Sequence, residues 1–487
     1  MHDTAAAALS EEDRLKIVLG VLLAMALAAL DQTIVSPAVP AIRAALNDDV
    51  YFPWIVSAYF LTATAATPLY GKLADIHGRR VMIFTAIGLF TAGSVCCALS
   101  ANMLMMILSR GLQGLGGGGL IALVQTVIAD VVAPKERGRY VVYITTIWAT
   151  SSIAGPILGG FLSEYVHWSL IFWINLPLAL AAFLMTSKVL LKLPQIRRDH
   201  SLDYLGALAL LTATVCLMLA LTWGGTRYAW SATPILGLLG LSALFAALFV
   251  WRLTAAEEPL VPLSVLANPI VRLGTLSIFF VMGAFIALSA YLPIYFEVTY
   301  GFDASQAGNA LVILLGGTVL GANTTGRYMA RVRHYKSMAL YGCMAAACAT
   351  AVFAWTAGTL SFPLTALLLA VIGVGVGGVF PIATVSVQNA VDMANLGVTT
   401  GTMAFLRSLG STIGVSVLGA ILASYGVVDG HRMPGQGGAQ ALAGNIGFSL
   451  AFGVAACSMA LTVVLLFLME EKPLRGRDAG AAGAPEA

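Results

Sequence analysis

A chain of 487 residues that is 59% hydrophobic and only 10% charged cannot clothe a water-soluble fold, in which about a quarter of residues carry charge. It reads as an integral membrane protein with a mean hydropathy of +0.89. A net charge of +3 on scattered basic residues excludes the dense positive surface that nucleic-acid binding needs.

Residues 1–16 are polar and acidic, with no basic n-region or small-residue cleavage site, so the apolar segment that follows reads as retained rather than as a signal peptide. Runs of about 20 apolar residues match a hydrocarbon core of roughly 30 Å at ~1.5 Å per helical residue. Fourteen occur, near 17–37, 52–71, 81–100, 103–129, 140–162, 169–190, 204–223, 233–251, 272–296, 305–326, 337–357, 362–389, 399–424 and 444–469. The expected fold is therefore all-α and membrane-embedded. With the N-terminus in the cytoplasm, the 26 Lys and Arg all fall in cytoplasmic segments except Arg43, Arg227 and Arg432 outside, and Arg110 and Arg407 within spans. The positive-inside rule then puts both termini in the cytoplasm.

All six cysteines (Cys96, Cys97, Cys216, Cys343, Cys348 and Cys457) lie in apolar spans, so neither disulfides nor a metal site is expected. No nucleotide-binding motif or other cofactor signature is present. The expected partners are a small-molecule cargo, protons and the lipid bilayer; no obligate protein partner is evident.

An internal repeat runs at an offset of 259 residues: Gly114, Gly116, Gly118, Gly119, Gly138, Ser152, Gly155 and Gly160 recur as Gly373, Gly375, Gly377, Gly378, Gly397, Ser411, Gly414 and Gly419. It pairs segments 1–6 with 9–14 and leaves segments 7 and 8 as an insert. The expected division is a cytoplasmic N-terminal segment 1–16, a six-helix half 17–190, a linker 191–203, a two-helix insert 204–252, a linker 253–271, a second six-helix half 272–470 and a disordered cytoplasmic tail 471–487.

Within the first segment, LDQTIVSPAVP carries Asp31, a carboxylate deep in an apolar run. Such a charge costs several kcal/mol unless paired, hydrated or protonated, and commonly marks an ion or substrate path. Asp31 lies about 22 Å beyond Lys16, and Arg110 about 12 Å below the outer end of segment 4, at similar depth. Either the two form a static buried ion pair, or Asp31 exchanges a proton for cargo. Desolvation favours the neutral acid, while a nearby cation favours the carboxylate.

In the loop GKLADIHGRR, Gly71 and Gly78 permit sharp turns, and Asp75 and Arg79 stand four apart, able to pair on a helical turn. Lys72, Arg79 and Arg80 suit a positive-inside anchor, which does not call for Asp75. Ser152, Gly155 and Gly159 share one helix face smooth enough for close helix approach, and Pro156 tends to bend that helix. The glycine runs 116–119 and 373–378 lack a following Lys-Ser/Thr, so packing or bending is their expected role rather than phosphate binding. Arg407 either snorkels inward or lines a cavity. Gln113, Gln125, Asn175, Gln388 and Asn389 are polar groups in spans that suit either cargo or helix-to-helix hydrogen bonds. Trp54, Tyr59, Trp148, Tyr291, Tyr295, Phe380 and Phe405 are candidate cavity aromatics. Glu297 reads as a solvated rim residue, and Asp130 and Glu164 as end-of-helix positions.

Taken in order, LDQTIVSPAVP, GKLADIHGRR, SRGLQGLGGGG, GPILGG, HWSLIFWINLP and DYLG resemble the signatures of the fourteen-helix drug:proton antiporters of the major facilitator superfamily. The resemblance covers essentially the whole membrane region. It implies two six-helix halves plus a two-helix insert and alternating access. It also implies proton-coupled export of small, largely hydrophobic drugs or biocides, hence antibiotic resistance, across a plasma membrane, bacterial inner membrane for choice. By the same resemblance, Asp31 and Arg110 serve proton coupling; Gly71, Asp75, Gly78, Arg79 and Arg80 form a gate that docks on the other half; Gly155, Pro156, Gly159 and Gly160 form the antiporter motif. Gln113, Trp148, Asn175, Tyr291, Tyr295, Gln388, Phe405 and Arg407 are the expected cargo-cavity set. Segment 6 departs from the pattern at Ser169, where a basic residue usually follows the tryptophan, and segment 13 offers Arg407 where some members carry acids. A dedicated transporter of one metabolite or lipid is the competing reading on the same scaffold. A membrane enzyme would need a catalytic constellation, and no HExxH, GxSxG or histidine cluster is present.

Overall fold

The computed structural model describes residues 11–47, 51, 54–132, 134–189, 203–225, 227–302, 304–329, 331–332, 334–392, 395–425, 427 and 439–474. The expected N-terminal segment up to residue 10, the linker at 191–202 and the tail beyond 474 lie outside them. The helices are α1 (Glu11–Leu46), α2 (Trp54–His77), α3 (Arg79–Ala98), α4 (Met103–Val131), α5 (Pro134–Tyr165), α6 (Leu170–Trp173), α7 (Asn175–Val189), α8 (Tyr204–Trp223) and α9 (Thr233–Ala255). They continue as α10 (Leu263–Ala267), α11 (Pro269–Tyr300), α12 (Ala304–Met329), α13 (Lys336–Trp355), α14 (Phe362–Asn389), α15 (Leu396–Ser424) and α16 (Ala439–Leu468).

Among the described residues, twelve spans are long and apolar enough to cross a membrane, α6 and α7 counting as one. The threonines and tyrosines of α2 and the charged first turn of α5 dilute their hydropathy, yet both continue the up-and-down path, which gives fourteen crossings. Pro177 explains the break between α6 and α7, because it has no N–H to donate to the carbonyl of Trp173 four residues back. The first helix runs nine residues past its expected end at 37, through Pro37 and Pro40.

Two bundles result. Helices α1–α7 pack around Ile17, Val21, Phe90 and Leu123, and α11–α16 around Ile278, Leu288, Phe353 and Val379. The repeat is visible in the packing. Gly114 and Gly118 admit the backbone of α2, and Gly116 that of α3; Gly373 and Gly377 admit α12, and Gly375 admits α13. Residues 116–129 and 375–389 are consequently buried on nearly every side. The glycine runs are packing devices, as close helix approach requires.

We call the end carrying the Lys/Arg-rich loops the basic end and the other the far end. Helices α2 and α15 meet across the seam between the bundles, as do α5 and α12, while α8 of the insert lies against both α2 and α15. On α15, residues 396–407 are buried save Thr402 and Leu406, whereas from Ser408 to Ile421 all but Gly410 and Leu418 keep some exposure. Enclosure along this seam helix is thus nearly complete toward the basic end and partial toward the far end.

The α1–α5 contact depends on Gly159, where an added Cβ would run into the Ile34 carbonyl, whereas nothing lies within 4 Å of one at Gly160. Overpacking of this kind costs about 1–3 kcal/mol. Gly159→Ala is therefore expected to lower the unfolding temperature in detergent, read by intrinsic fluorescence, and Gly160→Ala to leave it in place; equal effects would contradict the packing assignment.

Candidate functional site

Asp31 and Arg110 come together as a fully enclosed pair, Arg110 Nη1 donating to Asp31 Oδ2 at 2.7 Å with 1% and 0% of the side chains exposed. Asp31 Oδ1 accepts from Gln113 Nε2 at 2.8 Å and from Asn175 Nδ2 at 3.0 Å. The guanidinium has further partners. Its Nε donates to the Ile55 carbonyl at 2.9 Å, Nη1 also reaches Gln113 Oε1 at 2.5 Å, and its plane lies 4.5 Å from the Tyr59 ring centre. Ser94 Oγ accepts from both amides, at 2.8 and 3.2 Å. Five helices thus converge on one charge pair: α1, α2, α3, α4 and α7.

Gln113 and Asn175, expected in the cargo cavity, belong to this enclosed network instead, at 0% and 1% exposed. A carboxylate in a dry interior needs donors on both oxygens, and these are the amides that provide them. Tyr59 likewise faces Arg110 rather than a cavity.

The residues just beyond Asp31 connect it to α5. Gly155 faces Thr33, Gly159 faces Ile34, and Thr33 Oγ1 donates to the Ser151 carbonyl at 2.7 Å. Pro37 and Pro156 withhold the N–H groups that would otherwise bond the Thr33 and Ser152 carbonyls, so both ladders are interrupted where the two helices touch. Pro156 is exposed and Gly160 has open space beside it, so the close contact is made by Gly155 and Gly159, on the face that their spacing gives. Helix α5 then packs against α12 and α14 of the other bundle.

At the basic end, Asp75 Oδ2 accepts the backbone N–H of Val398 at 3.0 Å. Val398 lies in the first turn of α15, where backbone donors have no partner within the helix, so Asp75 caps the other half's helix across the seam. Gly71 lies against Gly397 and Gly401, and a Cβ on Gly397 would meet the Asp75 carboxylate. Arg79 binds Asp75 at 2.6 Å and Asp130 at 2.8 Å. The turn pivots on Gly78, whose φ of 89° suits glycine. Arg80 stacks on Phe84 at 5.5 Å, outside this cluster. In the matching loop of the second half, GRYMARVRHY, where Gly326 and Arg327 stand for Gly71 and Lys72, alanine takes the place of Asp75.

The remaining cavity candidates divide. Tyr295 is fully buried among Phe353, Phe448 and Phe452 and accepts from the Gly358 N–H, which makes it a core residue of the second bundle. Gln388 is buried one residue from the basic end of α14, below any far-end opening. Tyr291, half-buried, donates to the Val415 carbonyl at 3.1 Å. Trp148 is half-buried, while Phe405 and Arg407 are 9% and 7% exposed along the seam.

The Major Facilitator Superfamily model matches residues 21–415. This chain belongs to the major facilitator superfamily. Multidrug transporter protein MdtP of Bacillus subtilis is 30% identical over 413 residues, covering 85% of this chain and 76% of that one. Multidrug resistance protein 3 of the same organism is 31% identical, covering 83% and 79%. An uncharacterised MFS-type transporter of Mycobacterium tuberculosis is 32% identical over 84% of this chain, and the match spans 59% of that longer protein. Among solved structures, the proton:xylose symporter XylE matches with a TM-score of 0.64 at 15% identity over 97% of this chain and 99% of that one, a likeness of fold.

As a major facilitator, the chain is a multi-pass membrane protein, and among the described residues its ionic network has one copy. The repeat positions of Asp31, Ser94, Arg110 and Gln113 are Ala290, Phe353, Leu369 and Ile372, all apolar. Sequence reasoning missed Ser94, a lone serine in an apolar run, and the pairing of Asp130, for which only its place beside the basic loop gave a signal.

Removing one partner of a buried ion pair costs about 3–5 kcal/mol, because the other charge is left unpaired. Arg110→Ala is expected to lose that much stability in thermal unfolding, and Asp31→Asn/Arg110→Gln to lose much less. A double variant as unstable as Arg110→Ala would show that the pair is not the reason for the loss.

Proposed function

We propose that this major facilitator is a proton-driven antiporter that exports small, largely hydrophobic compounds by alternating access between its two six-helix halves, with both termini in the cytoplasm of a bacterial cell. The basic end is then the cytoplasmic end, and the described conformation faces outward. Supporting the reading are the names of the two Bacillus relatives and, above all, the single enclosed Asp31 network.

In this mechanism, protonation of Asp31 cancels one member of the pair and releases Arg110, Gln113 and Asn175 from their common acceptor. The strain passes along α1 to the proline-interrupted contact of Thr33 and Ile34 with α5, and from α5 to α12 and α14. Rocking of the halves then breaks the Asp75 cap on Val398, opening the basic end to cargo. Loss of the proton on the other side restores the pair and re-forms the cap. Moving one elementary charge through 100 mV supplies about 2.3 kcal/mol, to which a pH gradient adds. That is enough to bias states separated by a few hydrogen bonds of about 1 kcal/mol each.

The test is efflux of a panel of hydrophobic dyes from reconstituted vesicles under an imposed pH gradient. The parent is expected to pump and the unrelated dyes to compete. Asp31→Asn should fall at least about tenfold under the gradient, consistent with loss of a coupling step worth 1.4 kcal/mol or more. Asp31→Asn pumping at the parent rate would refute the coupling role. Flux of one compound without competition would favour a single-metabolite transporter.

A further inference from the structure

Arg407 serves neither the ionic network nor the gate. It stands eleven residues past the start of α15 at Leu396, about 16 Å along the axis, and its guanidinium lies 5.6 Å from the centre of the Phe380 ring. Phe380 is nine residues before the end of α14 at Asn389, about 14 Å from the same end. The two meet at mid-depth, so the long side chain has not run to the basic end for water, the escape a lipid-buried arginine otherwise takes.

Phe380 packs against the cores of both bundles, which puts the pair on the seam. The level is also where α15 passes from its enclosed stretch to its partly exposed one. Arg407 therefore stands at the boundary between the two stretches, 7% exposed.

No carboxylate answers it there. The helices packed against α15 are α2, α4, α8, α11, α14 and α16. Among the described residues, Asp75 of α2 is taken by Arg79 and Val398, about nine residues or ~14 Å toward the basic end. Asp130 of α4 is bound by Arg79, and Asp203 at the start of α8 by Arg252. Glu297 of α11 lies fourteen residues beyond Gly283, which abuts Gly410, and so about 21 Å toward the far end. The described residues give the Arg407 guanidinium no hydrogen bond or ion pair, only the aromatic face beneath it.

A guanidinium carries five donors in a planar fork that fits an oxyanion in bidentate fashion. Beneath it, Phe380 offers a flat apolar surface, and its repeat equivalent on α5 is Trp148. One unanswered cation on an aromatic face is the complement of a flat amphiphile with one negative charge. We propose that Arg407 holds the anionic group of the cargo, so that the compounds exported include apolar aromatics bearing a carboxylate, sulfonate or phenolate. This rests on the export reading above.

The experiment is pH-driven transport by the full chain in liposomes, with anilinonaphthalenesulfonate as the anionic probe and ethidium as the cationic one. The readout is the ratio of their initial rates. The parent should favour the anion; Arg407→Gln should lower the ratio at least about tenfold, the usual loss for a charge-assisted bond. Arg407→Lys should recover most of it, and Arg407→Glu should turn preference toward ethidium. An unchanged ratio in Arg407→Gln, including a parallel fall of both rates, would overturn the assignment, as would a parent that moves ethidium alone. A parent that moves neither probe under the gradient would refute the export reading itself and this inference with it.

Discussion

A carboxylate and a guanidinium 2.7 Å apart, both shut away from solvent, set the terms for the first half of this molecule. Each ion taken alone into the low-dielectric interior would cost several kcal/mol, and their attraction offsets that cost only when the remaining lone pairs and protons are also satisfied. Here Gln113 and Asn175 donate to the carboxylate, and the Ile55 carbonyl and Gln113 accept from Nε and Nη1 of the guanidinium. Five helices must hold register for those bonds to coexist, so the pair acts as a keystone.

The two halves share a fold and divide the chemistry. Glycines at the same repeat positions let helices approach in both bundles, whereas the ionic network has only Ala290, Phe353, Leu369 and Ile372 as its counterpart. The second half contributes the helix that Asp75 caps and the unanswered cation Arg407. With the proposed proton site in one half and the proposed cargo contact in the other, a local charge change would alter how the two halves meet.

Much of this is legible in the chain alone. Segment lengths, charge placement and the 259-residue offset give fourteen crossings and a duplicated bundle, because hydrocarbon thickness and backbone satisfaction leave few alternatives. Asp31, Arg110 and the Asp75–Arg79 spacing stand out for the same reason, since charge in such surroundings is costly. What pattern does not disclose is which polar groups face one another. Gln113 and Asn175 look equally suited to cargo, and Tyr295 looks like a cavity aromatic, until helix rotation puts the first two on Asp31 and the third in a ring cluster. Ser94 carries no local signal and Asp130 only its place beside the basic loop; their roles arise from neighbours 19 and 51 residues away.

The most direct test of the central claim is infrared difference spectroscopy of the purified protein as pH is lowered, reading the C=O stretch of a protonated carboxylic acid. A band should appear in the parent, be missing in Asp31→Asn, and persist in Asp75→Asn. Identical difference spectra for the parent and Asp31→Asn would mean that Asp31 stays ionised throughout, as a structural partner of Arg110 and not a carrier of protons.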